Sequence, residues 1–191
     1  MKKIGLFFGS YNPIHIGHTV IANYMLEFTD LDELWFVVSP QNPLKKKESL
    51  LEEYHRIELV RRAIGDHYKM RASDIEFKMP KPSYTIDTLT YLKEKYPQNY
   101  FVLIMGGDNL ATFHKWKNYD IILRDYSIYL YSRFEQEENE ISRHPSVKHF
   151  EAPRMEISST FIREAIQNKH DVSFFMPETA YKYMREMHFY E

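Results

Sequence analysis

The chain has 191 residues, 43% hydrophobic and 16% aromatic, with a formal net charge of −2 and no cysteine. That is enough apolar chain for a substantial core, and it excludes a disordered or disulfide-stapled protein. The charge offers no global basic field for nucleic acid, no apolar stretch is long enough to span a bilayer, and the run behind Met1-Lys2-Lys3 ends at Gly9, too short for a signal peptide. The expectation is a soluble cytoplasmic protein with no nucleic-acid or membrane partner. The many Tyr and Phe residues leave room for a homo-oligomer, but the sequence does not locate an interface.

Residues 4–8 form a short apolar run that predicts a buried strand, and residues 20–28 carry a helical pattern. A second strand is predicted over residues 34–38. Residues 50–64 set Leu50, Tyr54, Ile57, Val60, Ala63 and Ile64 at helical spacing, with Gly65 suited to the C-terminus. Residues 68–72 predict a third strand, and residues 85–96 a helix that Pro97 ends. Further strands are predicted over 101–105, stopped by Gly106 and Gly107, and over 127–131. Residues 133–145 are polar, carry several glutamates and read as a solvated loop. Two more helices are predicted over 159–167 and 177–187, the second with Pro177 at its start.

Strands alternating with helices give a mostly parallel sheet covered on both faces: an α/β, Rossmann-like, doubly wound fold with a helical C-terminal part. Without an internal repeat or linker, residues 1–191 read as one domain. A site in such a fold lies beyond the carboxyl ends of the strands. His15, Pro40, Gly107 and Asp108 all follow predicted strands and should converge there.

The first of those ends carries Gly9-Ser10-Tyr11-Asn12-Pro13-Ile14-His15-Ile16-Gly17-His18. A strand, a glycine-containing turn and a helix start meet at two histidines. Helix starts offer unpaired N–H groups and partial positive charge, and Gly9 and Gly17 permit close approach of a ligand. His15 and His18, three apart, share a face if both join the first helical turn. Two imidazole donors there suit a transferring phosphoryl group. A metal site is the competing reading, but no third ligand or His/Cys cluster accompanies the pair.

These residues resemble the [HT]-x-G-H signature of the nucleotidylyltransferase superfamily. His15, Gly17 and His18 match it, and Gly9, Tyr11, Asn12 and Pro13 match the G-x-[FY]-[DN]-P turn in front. Three further segments follow in family order. Ser83-Tyr84-Thr85 with Thr88-Leu89 resembles the S-Y-T-x-x-T-L motif of bacterial nicotinate mononucleotide adenylyltransferases, although a Ser- or Thr-capped helix explains part of it. Gly106, Asp108, Phe113 and Trp116 resemble G-x-D-x-[LA]…F-x-x-W, with Lys117 where the family is often aromatic. Residues 157–163, with Ile157, Ser158, Ser159, Thr160 and Arg163, resemble I-S-[SA]-T-x-I-R. The loop after the second strand is shorter than the family's, with Lys45 at its histidine position and Lys46 at its basic position.

The resemblance implies transfer of the adenylyl group of ATP to nicotinate mononucleotide, a late step of NAD synthesis. It implies that His15 and His18 hold the reacting phosphates and that Lys46 and Arg163 hold the departing pyrophosphate. Gly9, Ser10, Tyr11, Gly106, Asp108, Ile157, Ser158 and Ser159 would complete the ATP site. Asn12, Ser83, Tyr84, Thr85, Asp108, Trp116 and Lys117 would hold the mononucleotide: Trp116 by stacking on its pyridine ring, Thr85 and Lys117 through backbone N–H groups. The Lys117 charge would favour an acidic substrate. Mg²⁺ would enter with ATP, without dedicated protein ligands. The alternatives are a preference for nicotinamide mononucleotide, another phosphate acceptor such as phosphopantetheine, a non-catalytic nucleotide sensor and, against the net charge, a nucleic-acid binder built on Lys45, Lys46 and Lys47.

Overall fold

The computed structural model describes residues 1–40, 50–131 and 139–191. Among them lies one six-stranded sheet made of β1 (Lys3–Gly9), β2 (Glu33–Val38), β3 (Met70–Ser73), β4 (Tyr100–Gly106), β5 (Ser127–Tyr131) and β6 (Val147–Phe150). The order is β3-β2-β1-β4-β5-β6, and every neighbouring pair is parallel. The sheet is therefore wholly rather than mostly parallel. Chain order reverses at β1, whose two neighbours are β2 and β4. Loops leaving β1 and β4 diverge there and open a crevice at the carboxyl edge.

The helices among the described residues are α1 (Ile16–Phe28), α2 (Glu53–Ile64), α3 (Thr85–Lys95), α4 (Gly107–Leu110), α5 (Tyr119–Asp125), α6 (Ser159–Gln167) and α7 (Glu178–Glu186). None is long and apolar enough to cross a membrane. Both sheet faces are covered, so all six residues of β2 are buried, as expected of an interior parallel strand. Side chains alternate between two cores. Leu34, Phe36 and Val38 join the one formed with α1, α2, α6 and α7, whereas Trp35 and Val37 join the one formed with α3 and α5. Helix spacing follows the same demand: Ile162 and Ile166 bury the inner face of α6, and Ala180 and Met184 that of α7. Gly65 ends α2 with φ 53°, and its N–H donates to Arg61 O.

The predicted strands and helices appear with shifts of up to four residues at their ends, the largest at the start of α1, and with the last two helices nearly unchanged. Three of these elements were not anticipated, the first being the four-residue α4 that follows β4 directly. β6 follows the acidic stretch as a four-residue edge strand whose Lys148 and His149 are exposed, so it presents no apolar run. α5 is a single short helix burying only Ile122 and Leu123.

The amino end of β2 holds a buried carboxylate. Glu33 is 5% exposed; Lys2 Nζ lies 2.6 Å from Oε1, while Trp35 Nε1 donates to Oε2 at 3.0 Å and Arg71 Nε lies 3.3 Å from Oε2. Burial alone would raise the carboxyl's pKa, but these donors and charges outweigh it and hold it below the ordinary value. Glu33→Ala strands the buried Trp35 N–H, so it should cost about 1–3 kcal/mol at neutral pH. Because the folded value is depressed, the stabilisation is present above the unfolded pKa of about 4.3 and is lost as pH falls through the folded one. Denaturant melts across pH should therefore show the wild-type advantage over Glu33→Ala shrinking in acid.

Candidate active site

The turn after β1 is built from inside. Tyr11 has φ 46° and turns its ring into the core, where its hydroxyl donates to Phe7 O at 2.5 Å. A Cβ on Gly9 would stand 2.8 Å from that ring, so the turn excludes a side chain there. Burial first, and then the neighbouring Tyr131, push the Tyr11 pKa up and keep the phenol protonated. The Asn12-Pro13 peptide is cis.

Asn12 is buried and heavily engaged. Its Oδ1 accepts from Leu51 N–H at 3.2 Å and from Tyr190 Oη at 2.7 Å, and its carbonyl accepts from Arg163 Nη1 at 2.8 Å. Ser159 Oγ donates to the next carbonyl, Pro13 O, at 2.8 Å. The Ser158–Arg163 segment is thus docked on the turn. Ser158 caps α6 by accepting from Phe161 N–H at 3.1 Å. Arg163 Nη2 lies 3.4 Å from Thr160 Oγ1, and the guanidinium is half-buried at the mouth of the turn.

The two histidines do meet, by a different route from shared helical turns. His15 is the extended N-cap of α1, with φ −143°, and only His18 lies within the helix. His15 N–H donates to His18 Nδ1 at 3.2 Å, and the rings lie 3.7 Å apart. A neutral His18 that accepts at Nδ1 carries its proton on Nε2, which becomes a donor. No residue in the first turn of α1 is acidic, so the positive helix end is uncompensated.

β1 and β4 end side by side. Phe7 pairs with Ile104, and two residues further along each strand stand Gly9 and Gly106. A Cβ on Gly106 would lie 2.5 Å from Asp108 Oδ1 and 3.0 Å from Tyr131 Oη, so this corner too has no room for one. Asp108 is exposed in α4.

A second wall forms on the other face of the sheet. Ser83 Oγ and Thr88 Oγ1 donate to the two oxygens of buried Glu76, at 2.8 and 2.7 Å. The N-cap of α3 is therefore Tyr84, without a side-chain cap, and not the Ser or Thr anticipated. Lys117 Nζ reaches both oxygens of Asp87, at 3.0 and 2.9 Å, and lies 4.9 Å from the centre of the Tyr84 ring. Its charge is committed to Asp87 instead of facing an acidic ligand freely. Trp116 packs on Phe113 at 5.2 Å, and among the described residues its buried Nε1 has no partner.

The expected residues thus fall into two groups at one sheet edge. Gly9 to His18 gather with residues 157–163, Ser83 to Thr85 gather with Trp116 and Lys117, and Gly106 and Asp108 stand at the β4 end. Lys46 lies outside the described residues. Sequence reasoning missed Arg56, Glu76, Asp87 and Tyr190. Arg56 is fully buried, and burial lowers its pKa against the opposing influence of Tyr190, Glu53 and Glu52. It still remains a cation.

The architecture and the histidine-bearing turn define a nucleotide-transferring enzyme class, and comparison with known proteins agrees. The cytidylyltransferase-like family matches residues 6–165. The chain is 51% identical to a probable nicotinate-nucleotide adenylyltransferase of Flavobacterium johnsoniae over 191 residues, covering 99% of each. It is 44% identical to a protein of the same name from Bacteroides thetaiotaomicron, over 96% of this chain and 91% of that one. The solved structure of Plasmodium falciparum nicotinic acid mononucleotide adenylyltransferase complexed with NaAD shares the fold, with a TM-score of 0.84 at 20% identity over 100% of this chain and 98% of that one. The chain belongs to the cytidylyltransferase-like family and, within it, to the nicotinate-nucleotide adenylyltransferases.

The signature glycine gives a test of this geometry. A Cβ on Gly17 would sit 3.0 Å from His15 Nδ1 and 3.4 Å from Met155 Cβ. Gly17→Ala should leave the melting temperature unchanged or raise it, because alanine favours a helix by up to about 1 kcal/mol. It should displace the His15 ring and lower turnover about tenfold or more. Calorimetry and steady-state kinetics on the same preparation check both halves.

Proposed function

We propose that the chain transfers the adenylyl group of ATP to nicotinate mononucleotide, giving nicotinate adenine dinucleotide and pyrophosphate. The observation that carries the site assignment is the docking of Ser159 and Arg163 onto the Asn12-Pro13 carbonyls, directly before the His15-His18 helix start. One hydroxyl, one guanidinium, two imidazoles and a positive helix end thereby surround one turn. The end-to-end identity with the named bacterial relatives supports the same reaction.

An oxygen of the mononucleotide 5′-phosphate attacks the ATP α-phosphorus in line. The bond from that phosphorus to the α–β bridging oxygen breaks, and its electron pair leaves with pyrophosphate. No protein nucleophile takes part; the chain positions the reactants and stabilises charge. His18 donates its Nε2–H to the phosphoryl oxygens as their charge grows, and His15 lies beside it. Arg163 binds the departing pyrophosphate with the donors it has left beside Asn12 O. Lys46 is assigned to the same group on the resemblance alone.

Mg²⁺ would enter with ATP, keeping most of its water ligands, and would offset part of the phosphate charge. Among the described residues no three His, Asp or Glu side chains cluster in a way that could hold a metal ion. Asp108 is the exposed carboxylate at the β4 end that could order such a water. The pyridine ring lies against Trp116, and its carboxylate meets the backbone N–H groups of Thr85 and Lys117. ATP and the mononucleotide are intracellular metabolites, which supports a cytoplasmic enzyme.

Pyrophosphate release, measured with ATP and Mg²⁺ and with nicotinate or nicotinamide mononucleotide in parallel, tests the reading. Release with the acid and far less with the amide is expected. Equal release would overturn the carboxylate assignment, and release with neither would overturn the reaction. His18→Ala should lower kcat by about 10²–10³, the usual effect of removing one transition-state donor. A variant that turns over near the wild-type rate would remove His18 from the chemistry.

A further inference from the structure

Arg56 is a charged side chain with no accessible surface, placed on the inner face of α2 beside Ile57, Leu59 and Val60. No carboxylate stands within ion-pair distance of it among the described residues. Its partners are backbone carbonyls. Nη1 donates to Ser10 O and to Ser39 O, both at 2.7 Å; Nη2 donates to Pro40 O at 3.0 Å, and Nε to Leu51 O at 2.9 Å. Leu51 N–H in turn donates to Asn12 Oδ1, closing a ring of contacts on the turn after β1.

A buried cation without a counter-ion is expensive, and leucine or methionine would fill a core position more cheaply. The geometry shows what it does instead. One nitrogen bridges the turn after β1 and the end of β2, the two chain segments that leave the sheet on one side of the crevice. Beyond the β1–β2 ladder, which ends with Gly9 opposite Val38, the two segments also share the backbone contact Ser39 N–H to Gly9 O at 2.9 Å. A lysine ammonium donates from a single point and cannot reach the Ser10, Ser39, Pro40 and Leu51 carbonyls together; a planar fork can.

We infer that Arg56 is a positioning residue for adenylyl transfer: its guanidinium sets the spacing between the Ser10-Tyr11-Asn12 turn and the Ser39-Pro40 end of β2, so that the phosphate-binding turn is presented in one geometry. Arg56 touches no substrate in this account. The inference rests on the reading of that turn as the phosphate site.

The test uses the full-length enzyme and pyrophosphate release. Arg56→Lys and Arg56→Gln should both lower kcat, by about 10–10²-fold for a displacement on the ångström scale, and raise KM for ATP. Ile57→Ala, at the next residue on the same helix and 3% exposed, removes core packing but no hydrogen-bond donor to either loop; it should lower the melting temperature while keeping kcat. The rise in melting temperature that ATP produces in the wild type should shrink in Arg56→Lys. The role is overturned if Arg56→Lys keeps kcat and KM for ATP within about twofold of wild type, if it keeps the full ATP-induced shift, or if Ile57→Ala loses as much turnover as Arg56→Lys. A silent wild type would sink the reaction itself, and the ATP-induced shift would still decide the role of Arg56.

Discussion

Asn12 and Pro13 offer their carbonyls to Arg163 and Ser159, which lie 151 and 146 residues further along the chain. The Asn12 amide oxygen at the same time accepts from Tyr190, 178 residues on. A turn of this kind has no regular secondary structure to satisfy its backbone groups, so its shape depends on partners brought from elsewhere. Here they come from α2, α6 and the segment after α7. The first loop of the chain is therefore completed only when its last helices have packed. Burial of Ile162, Ile166, Ala180 and Met184 against the α1 side of the sheet supplies the apolar driving force for that closure, and the hydrogen bonds supply its precision.

The same organisation explains why donors and positive charge accumulate at one point. α1 begins at His15 without an acidic residue in its first turn, so its helix end keeps its positive potential. Arg163 uses one nitrogen on Asn12 O and another near Thr160, which fixes the guanidinium without neutralising it. Arg56 lies behind the turn, paired only with carbonyls. In the proposed reading, a turn lined in this way is electrostatically prepared for a polyphosphate before one arrives, so little reorganisation is left to the reaction itself.

What the sequence disclosed follows from how each element is buried. β1, β2, β4 and β5 lie inside the sheet and appear as apolar runs, so their existence and order were legible. β6 was not, because the edge strand Val147-Lys148-His149-Phe150 exposes its two central residues and reads as a loop. The histidine turn was legible because its residue types are unusual at a helix start. Arg56 was passed over because charged residues are ordinarily at the surface. A usable signal was present: Leu59, Val60 and Ala63 stand three, four and seven residues after it, the spacing of a buried helix face. Glu76 gave no such signal, since it sits in a single short turn and its partners Ser83 and Thr88 are fixed only by the fold. Lys117 was singled out in the sequence, but its charge could not be traced to Asp87 without the packing of α3 against the Trp116 segment.

That last pair bears on how an acid would be distinguished from an amide. In the proposed reading the substrate carboxylate meets N–H groups at the start of α3, where the helix end is positive. Asp87 lies in that first turn and by itself would oppose a second negative charge. Lys117 reaches both of its oxygens and offsets that opposition, while its position over Tyr84 ties the α3 start to the Trp116 segment. Both side chains are more than two-fifths exposed, so solvent screens the pair and its contribution to global stability is small. Its effect is local. With Asp87 offset in this way, the potential at the α3 start is set by the helix itself and by backbone donors whose positions Glu76 fixes through Ser83 and Thr88. Recognition of the carboxylate then depends on an oriented backbone rather than on a mobile lysine, which can explain how a lysine stands where related enzymes often carry an aromatic residue.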